Sequence, residues 1–444
     1  MYNRLVRHNG NNDLFRAVEL SAAALTSRHP FHLHAEGLRG TGKTTILRAA
    51  ASQLPPIVRV RGCVYNCHPA WPHCPEHKGL DAAAIERIGR EIVPCPFLEI
   101  SQSAKVGTVL GSIDLARLVD RRRPAAALLP GTILQAHRGV VFIDEVNRLA
   151  DTGPELVDVL LDVMGTKPGR VQVEETGLPV VEMPVEVTVW AASNPDEEPG
   201  ALAQVRRQLA DRFDLVVNMG RPSEYRAVTA MLAKREGEAS QVAGAAGFRL
   251  GDFRGAEVGD ELRTVLASIY IDFNLESLRA IEGLETAARL AAIQAGRRKV
   301  LTEDVALVAP LVLGHRTDNA TLAGILKYLQ ALDGKREAAI EAVEPGKPQA
   351  KARTEPTEAG GATSRWGRWW EEFRRRLAAG RPKREAAEGS GAAQGTTGGG
   401  AASTASGIAD PTHAVIVAPP CAAVPLSELP ADKYVGGEDS NSHV

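Results

Sequence analysis

The chain has 444 residues of 44% hydrophobic content, and 52 Lys+Arg against 54 Asp+Glu leave a formal net charge of -2. That length predicts two to four domains with real cores, and the near-neutral balance excludes the global positive field that holds nucleic acid or an anionic membrane. No run of about 18 apolar residues occurs and the start Met1–Arg7 lacks the apolar stretch of a secretory signal, while five cysteines, an odd number, exclude a disulfide-stapled scaffold; a cytoplasmic chain with no membrane span is expected.

Up to about residue 225, short apolar runs alternate with helical-period segments, which predicts an α/β fold with a parallel sheet and crossover helices. The first strand is read at Phe31–Ala35. Behind it, Gly37-Leu38-Arg39-Gly40-Thr41-Gly42-Lys43-Thr44 fits G-x-x-x-x-G-K-[ST] and opens a helical run from Thr45 to Ser52. The glycines let backbone N–H groups converge on phosphates, Lys43 adds a point charge, and the Thr44 hydroxyl suits Mg²⁺. Gly37, Arg39, Gly40, Thr41, Gly42, Lys43 and Thr44 are therefore the candidate nucleotide-binding residues; the alternative is an ordinary glycine-rich turn.

The insertion at 61–79 carries Cys63-x3-Cys67-x6-Cys74-x2-His77. Three thiolates and an imidazole are a plausible tetrahedral set for structural Zn²⁺, with His68 and His73 competing; a redox-sensitive thiol cluster or free surface cysteines are the alternatives. Cys95 and Cys421 have no companions.

The apolar strand Val140–Ile143 delivers Asp144 and Glu145 at its C-terminal edge, where ligands bind in open parallel sheets. Asp144 is expected to hold Mg²⁺ and Glu145 to orient and deprotonate the attacking water. A further strand, Val185–Trp190, is followed by Ala191-Ala192-Ser193-Asn194-Pro195, so Asn194 is the candidate polar sensor, against an Asx turn before proline. Arg212, in Gln208–Asp214, is a candidate to enter a neighbouring subunit's site; the alternative is a local pair with Asp211 or Asp214. Apolar positions at helical spacing in 261–296 and 303–332 predict a small helical domain over 226–335. From 336 to 444 Ala, Gly, Pro, Ser and Thr dominate, which predicts a largely disordered tail. One island at 365–378 places Trp366, Trp369, Trp370, Phe373 and Leu377 on one helical face opposite arginines, suiting a dock on its own protein or a partner or membrane-surface contact.

The loop at 37–44, Gly62–Pro69, Val109–Leu115, Leu129–Leu134, Arg138–Asn147 and Gln208–Phe213 together resemble the AAA+ ATPase subunit of magnesium chelatase, in that family's order. The resemblance implies a P-loop three-layer sandwich with a helical lid, ATP and Mg²⁺, and a homo-oligomeric, hexameric ring with ATP at subunit interfaces. It also implies Mg²⁺ insertion into protoporphyrin IX for chlorophyll or bacteriochlorophyll synthesis, with an integrin-domain subunit and a large porphyrin-binding subunit as partners. A MoxR-like chaperone maturing a metalloenzyme is the same-class alternative, and a non-catalytic nucleotide-responsive scaffold the other. Residues 101–118 and a hairpin over 169–181, turning near Glu175–Gly177, resemble the family's insertions. The family's lid arginine falls on Thr286 here, flanked by Arg279 and Arg289; Arg289, about one turn along, is taken as its substitute, the alternative being a solvated helix arginine. The family has a cysteine where His77 stands, a ligand-preserving exchange for zinc. No Asp-x-Ser-x-Ser motif follows the lid, so the resemblance is to the motor subunit alone.

Overall fold

The computed structural model describes residues 2–113, 128–174, 180–235 and 251–343. Five strands, β1 (Leu33–Gly37), β2 (Phe97–Ile100), β3 (Val140–Ile143), β4 (Thr188–Ser193) and β5 (Leu215–Met219), form one sheet in the order β5-β1-β4-β3-β2. Every pairing is parallel. Each residue of β3 and β4 is buried, as expected of strands covered on both faces, which read as continuous apolar runs instead of alternating ones. The register pairs Glu36 with Ser193 and Ala191 with Ile143, so the chain leaves β1, β3 and β4 at one edge.

Two strand positions differ from the sequence reading. β1 starts at Leu33 because the His32 N–H is taken by the Asp214 carboxylate (2.8 Å) and the Phe31 carbonyl by the Ser21 hydroxyl (2.5 Å). The run Val185–Trp190 is divided. Val185 closes an antiparallel hairpin, Gly169–Val173 with Val181–Val185, and β4 begins only at Thr188. Between them Glu186 N–H donates to His137 Nδ1 (3.1 Å) and Glu186 O accepts from Arg138 N–H (2.8 Å), which redirects the chain.

Helix α1 (Asn12–Thr26) buries Leu14, Phe15, Val18 and Leu20, each contributing about 1.5–3 kcal/mol by leaving water. It packs where Trp190 Nε1 donates to Ser21 (2.8 Å). Helices α2 (Lys43–Ala50), α3 (Val146–Thr152), α4 (Pro154–Val163) and α5 (Arg207–Arg212) follow the strand ends. The segment 57–93 forms its own two-stranded ribbon, Ile57–Val60 with Arg90–Val93.

Beyond residue 251, four helices form the lid: α6 (Asp260–Asp272), α7 (Leu278–Gln294), α8 (Thr302–Leu313) and α9 (Asn319–Val343). Ser277 caps α7 through the Arg279 N–H (3.2 Å), and Asp304 closes the start of α8 by accepting from Leu301 N–H (2.9 Å). The lid is fastened to the core by Arg316, whose guanidinium donates to the carbonyls of Asp211 and Phe213, both at 2.9 Å. Phe253 N–H to Ser27 (3.1 Å) is a second tie. Helix α9 continues through residue 336, where the composition change begins, to Val343. The Trp-rich island at 365–378, the hairpin turn at 175–179 and residues 114–127 lie outside the described residues. No described helix is long and apolar enough to cross a membrane.

Candidate nucleotide site

The loop after β1 turns on Gly40 (φ +74°) and Gly42 (φ +93°), a left-handed backbone that glycine adopts without strain. A Cβ at either position would meet nothing within 4 Å. The glycines are thus required by the backbone, and the space over the loop is open. Helix α2 then starts at Lys43 with no side chain capping it, leaving N–H groups directed at that space.

Lys43 is 6% exposed, and its ammonium donates to Gly37 O (2.7 Å), Leu38 O (2.8 Å) and Asn194 Oδ1 (2.8 Å). It therefore joins the loop to the end of β4. Burial lowers its pKa, opposed by the charges of Asp144, Asp196 and Glu197. The Thr44 hydroxyl lies 3.2 Å from both carboxylate oxygens of Asp144. These oxygens, on adjacent elements, are the hard donors that Mg²⁺ takes, and the residues present fit it. Arg48 holds Glu99 by two bonds (2.8 and 2.9 Å) and comes within 3.9 Å of Asp144.

Glu145 stands at the N-terminus of α3 with φ +53°, an uncommon conformation for a non-glycine residue that concentrates at functional sites. Its carboxylate accepts from Gln102 Nε2 (2.6 Å) and lies 3.3 Å from Arg148. Asn147 donates to Gly200 O (2.9 Å) and Asn194 O (3.4 Å), fixing the end of β4. Glu197 pairs with Arg39 (3.1 Å) and Arg148 (3.4 Å).

Arg212 lies elsewhere, at the end of α5, donating to Gly165 O (3.2 Å). Asp211 is bonded to Arg316 and Asp214 to Lys167 (2.8 Å), while Asp211 and Asp162 still act on Arg212 as neighbouring negative charges. Arg279, in the first turn of α7, donates to the same Gly165 carbonyl (3.1 Å). Burial and this neighbouring charge lower the Arg212 pKa. Arg289 is bonded within the lid, to Glu285 (2.9 and 2.6 Å) and Ala256 O (2.8 Å). Gln102 and Glu197 are absent from the sequence reading, and Arg279 enters it only as a neighbour of Thr286. Gln102 lies two residues past β2, so reading Phe97–Ile100 as a strand would have pointed to it.

Cys63, Cys67, Cys74 and His77 also come together: all four are buried and one ligand atom from each lies within 4.8 Å of the others.

A β5-β1-β4-β3-β2 parallel sheet, with a glycine loop after β1, an acidic pair after β3, an amide after β4 and a helical lid, defines a P-loop protein of the AAA+ class. Residues 263–327 match the family described as AAA lid domain. Over 297 residues the chain is 32% identical to the magnesium-chelatase 38 kDa subunit of Acidiphilium rubrum, covering 63% of this chain and 81% of that protein. The same subunit of Cereibacter sphaeroides is 33% identical over 296 residues, 63% of this chain and 82% of that one. The chain belongs to the magnesium-chelatase 38 kDa subunit family. A chain of a BchI–BchD magnesium chelatase complex aligns over 73% of this chain and 98% of its own, at 24% identity and a TM-score of 0.41.

Proposed function

We propose that the chain is the ATP-hydrolysing motor of a magnesium chelatase-type complex, driving Mg²⁺ insertion into protoporphyrin IX. The observation that carries this is the convergence of the Lys43 ammonium on Asn194 and of the Thr44 hydroxyl on Asp144, beside Glu145, at one edge of the sheet. Lys43 and the loop N–H groups bind the β- and γ-phosphates, and Thr44 and Asp144 hold Mg²⁺. When bound, the ion neutralises charge developing on the phosphate oxygens. Glu145 orients the attacking water and accepts its proton, with Gln102 fixing the carboxylate. Asn194, released by Lys43, is positioned to hydrogen-bond the same water.

Arg212 and Arg279, side by side and away from the chain's own phosphate loop, act on the nucleotide of an adjacent protomer, which requires a homo-oligomeric ring, six-membered in this reading. An integrin-domain subunit and a porphyrin-binding subunit complete the complex, as the chain's family membership suggests. The nucleotide-binding core extends to about residue 225 and the lid over 226–335.

The test is ATP turnover by the purified chain and by Glu145→Gln. The variant should bind ATP with little changed affinity and lose turnover by about 100-fold or more, on the scale of a general base. Full activity in Glu145→Gln would overturn the assignment.

A further inference from the structure

We infer that Cys63, Cys67, Cys74 and His77 form a structural zinc site that fastens the 61–79 segment to the base of the strand carrying Asp144 and Glu145. This goes beyond the nucleotide reading and does not depend on it.

A zinc–sulfur bond of about 2.3 Å places tetrahedral thiolates about 3.8 Å apart, and the four ligand atoms lie within 4.8 Å of one another. All four residues are at most 8% exposed. Three thiols and an imidazole packed together satisfy one another poorly as neutral groups but form a complete closed set for a soft-to-borderline cation. The backbone is already arranged for thiolate: Cys67 Sγ accepts the N–H groups of both His73 and Cys74, each at 3.3 Å. Cys63 and Asn66 close a turn (Asn66 N–H to Cys63 O, 3.2 Å) in which Asn66 takes φ +54°.

The structure separates the three histidines. His77 Nδ1 is 3.1 Å from Cys74 Sγ. His68 stacks on Trp71 and its Nδ1 accepts the Ala70 N–H, which removes it. His73 lies tilted against His137 (ring centroids 3.9 Å apart), with Nδ1 3.3 Å from Cys67 Sγ, the place of a group that hydrogen-bonds a ligating sulfur.

The consequence reaches the core through Asn66, between the first two cysteines. Its amide donates to Gln135 O (2.6 Å), and Arg138 reaches back to Val58 O (2.6 Å) and Asn66 O (3.4 Å). Gln135 and Arg138 immediately precede β3.

The experiment is elemental analysis of the full chain, purified under reducing conditions without a metal-affinity step. About one zinc per chain is expected, retained in Cys95→Ser and His77→Cys and lost in Cys74→Ser and His77→Ala. Should those last variants fail to fold, the wild-type chain refolded with Co²⁺ alone keeps the inference exposed: tetrahedral d–d bands with thiolate charge-transfer bands support it. Wild-type protein without near-stoichiometric zinc, a cobalt product lacking charge-transfer bands, or a disulfide among the three cysteines in protein isolated without reductant would overturn it. Metal content is read whether or not the chain hydrolyses ATP, so failure here is distinguishable from failure of the motor reading.

Discussion

Glu145 is held by two groups of opposite consequence: Gln102 offers a neutral amide hydrogen bond and Arg148 a positive charge. Removing the amide leaves the carboxylate to the arginine, which draws it away from the orientation that Gln102 fixes. Gln102→Ala should therefore lower kcat several-fold with little change in KM for ATP, since Gln102 touches neither Lys43 nor Thr44; steady-state kinetics checks this, and an unchanged kcat contradicts the positioning role. Asp144 and Glu145 were recognisable from the sequence because an apolar strand ending in adjacent carboxylates is a local pattern. Gln102 was not, because the pairing of its strand with β3 is a long-range event.

Among the elements, the lid attachment concentrates on one side chain. The Arg316 side chain is 7% exposed and bonds two core carbonyls, the Asp211 carboxylate (3.3 Å) and, within its own segment, Val312 O (2.8 Å). Arg316→Ala removes all of these bonds and leaves the two core carbonyls without that donor, so the expected loss is about 1.5–3 kcal/mol of stability, visible as a lower chemical-denaturation midpoint. The same change should weaken ATP turnover through Arg279, which the lid presents beside Arg212. Helical spacing alone predicted the α6–α9 segments, because a 3.6 period is carried within each helix. The division of Val185–Trp190 between a hairpin and β4 could not be read in that way: Val-Glu-Val-Thr-Val suits either strand, and the bonds from His137 and Arg138 to Glu186 decide it.

At the scale of the molecule, several histidines are buried in the neutral state. Burial lowers the pKa of His32 and His34 to about 3 and of His29 to about 4, with His315 also driven well below its ordinary value. His32 Nε2 has no hydrogen-bond partner, which adds to the cost of its burial. Because the unfolded chain binds protons near pH 6.5 and the folded chain does not until near 4 or below, stability is fully present above about 6.5 and falls as pH drops toward 4. Denaturation midpoints at pH 7.5 and pH 5 should differ, the lower pH giving the less stable protein; equal midpoints would contradict neutral burial of these rings.

The P-loop, the acidic pair, the helical lid segments and the Cys/His spacing were all legible along the chain, since each is a short motif or a period set by neighbouring residues. Which side chains meet was decided by folding: Lys43 with Asn194 across 151 positions, Arg212 with Arg279 on one carbonyl, and His77 over His68 and His73 at the sulfur cluster. Parallel strand order and lid seating create those contacts, and both depend on burial between segments far apart in the chain, a quantity that no local pattern carries.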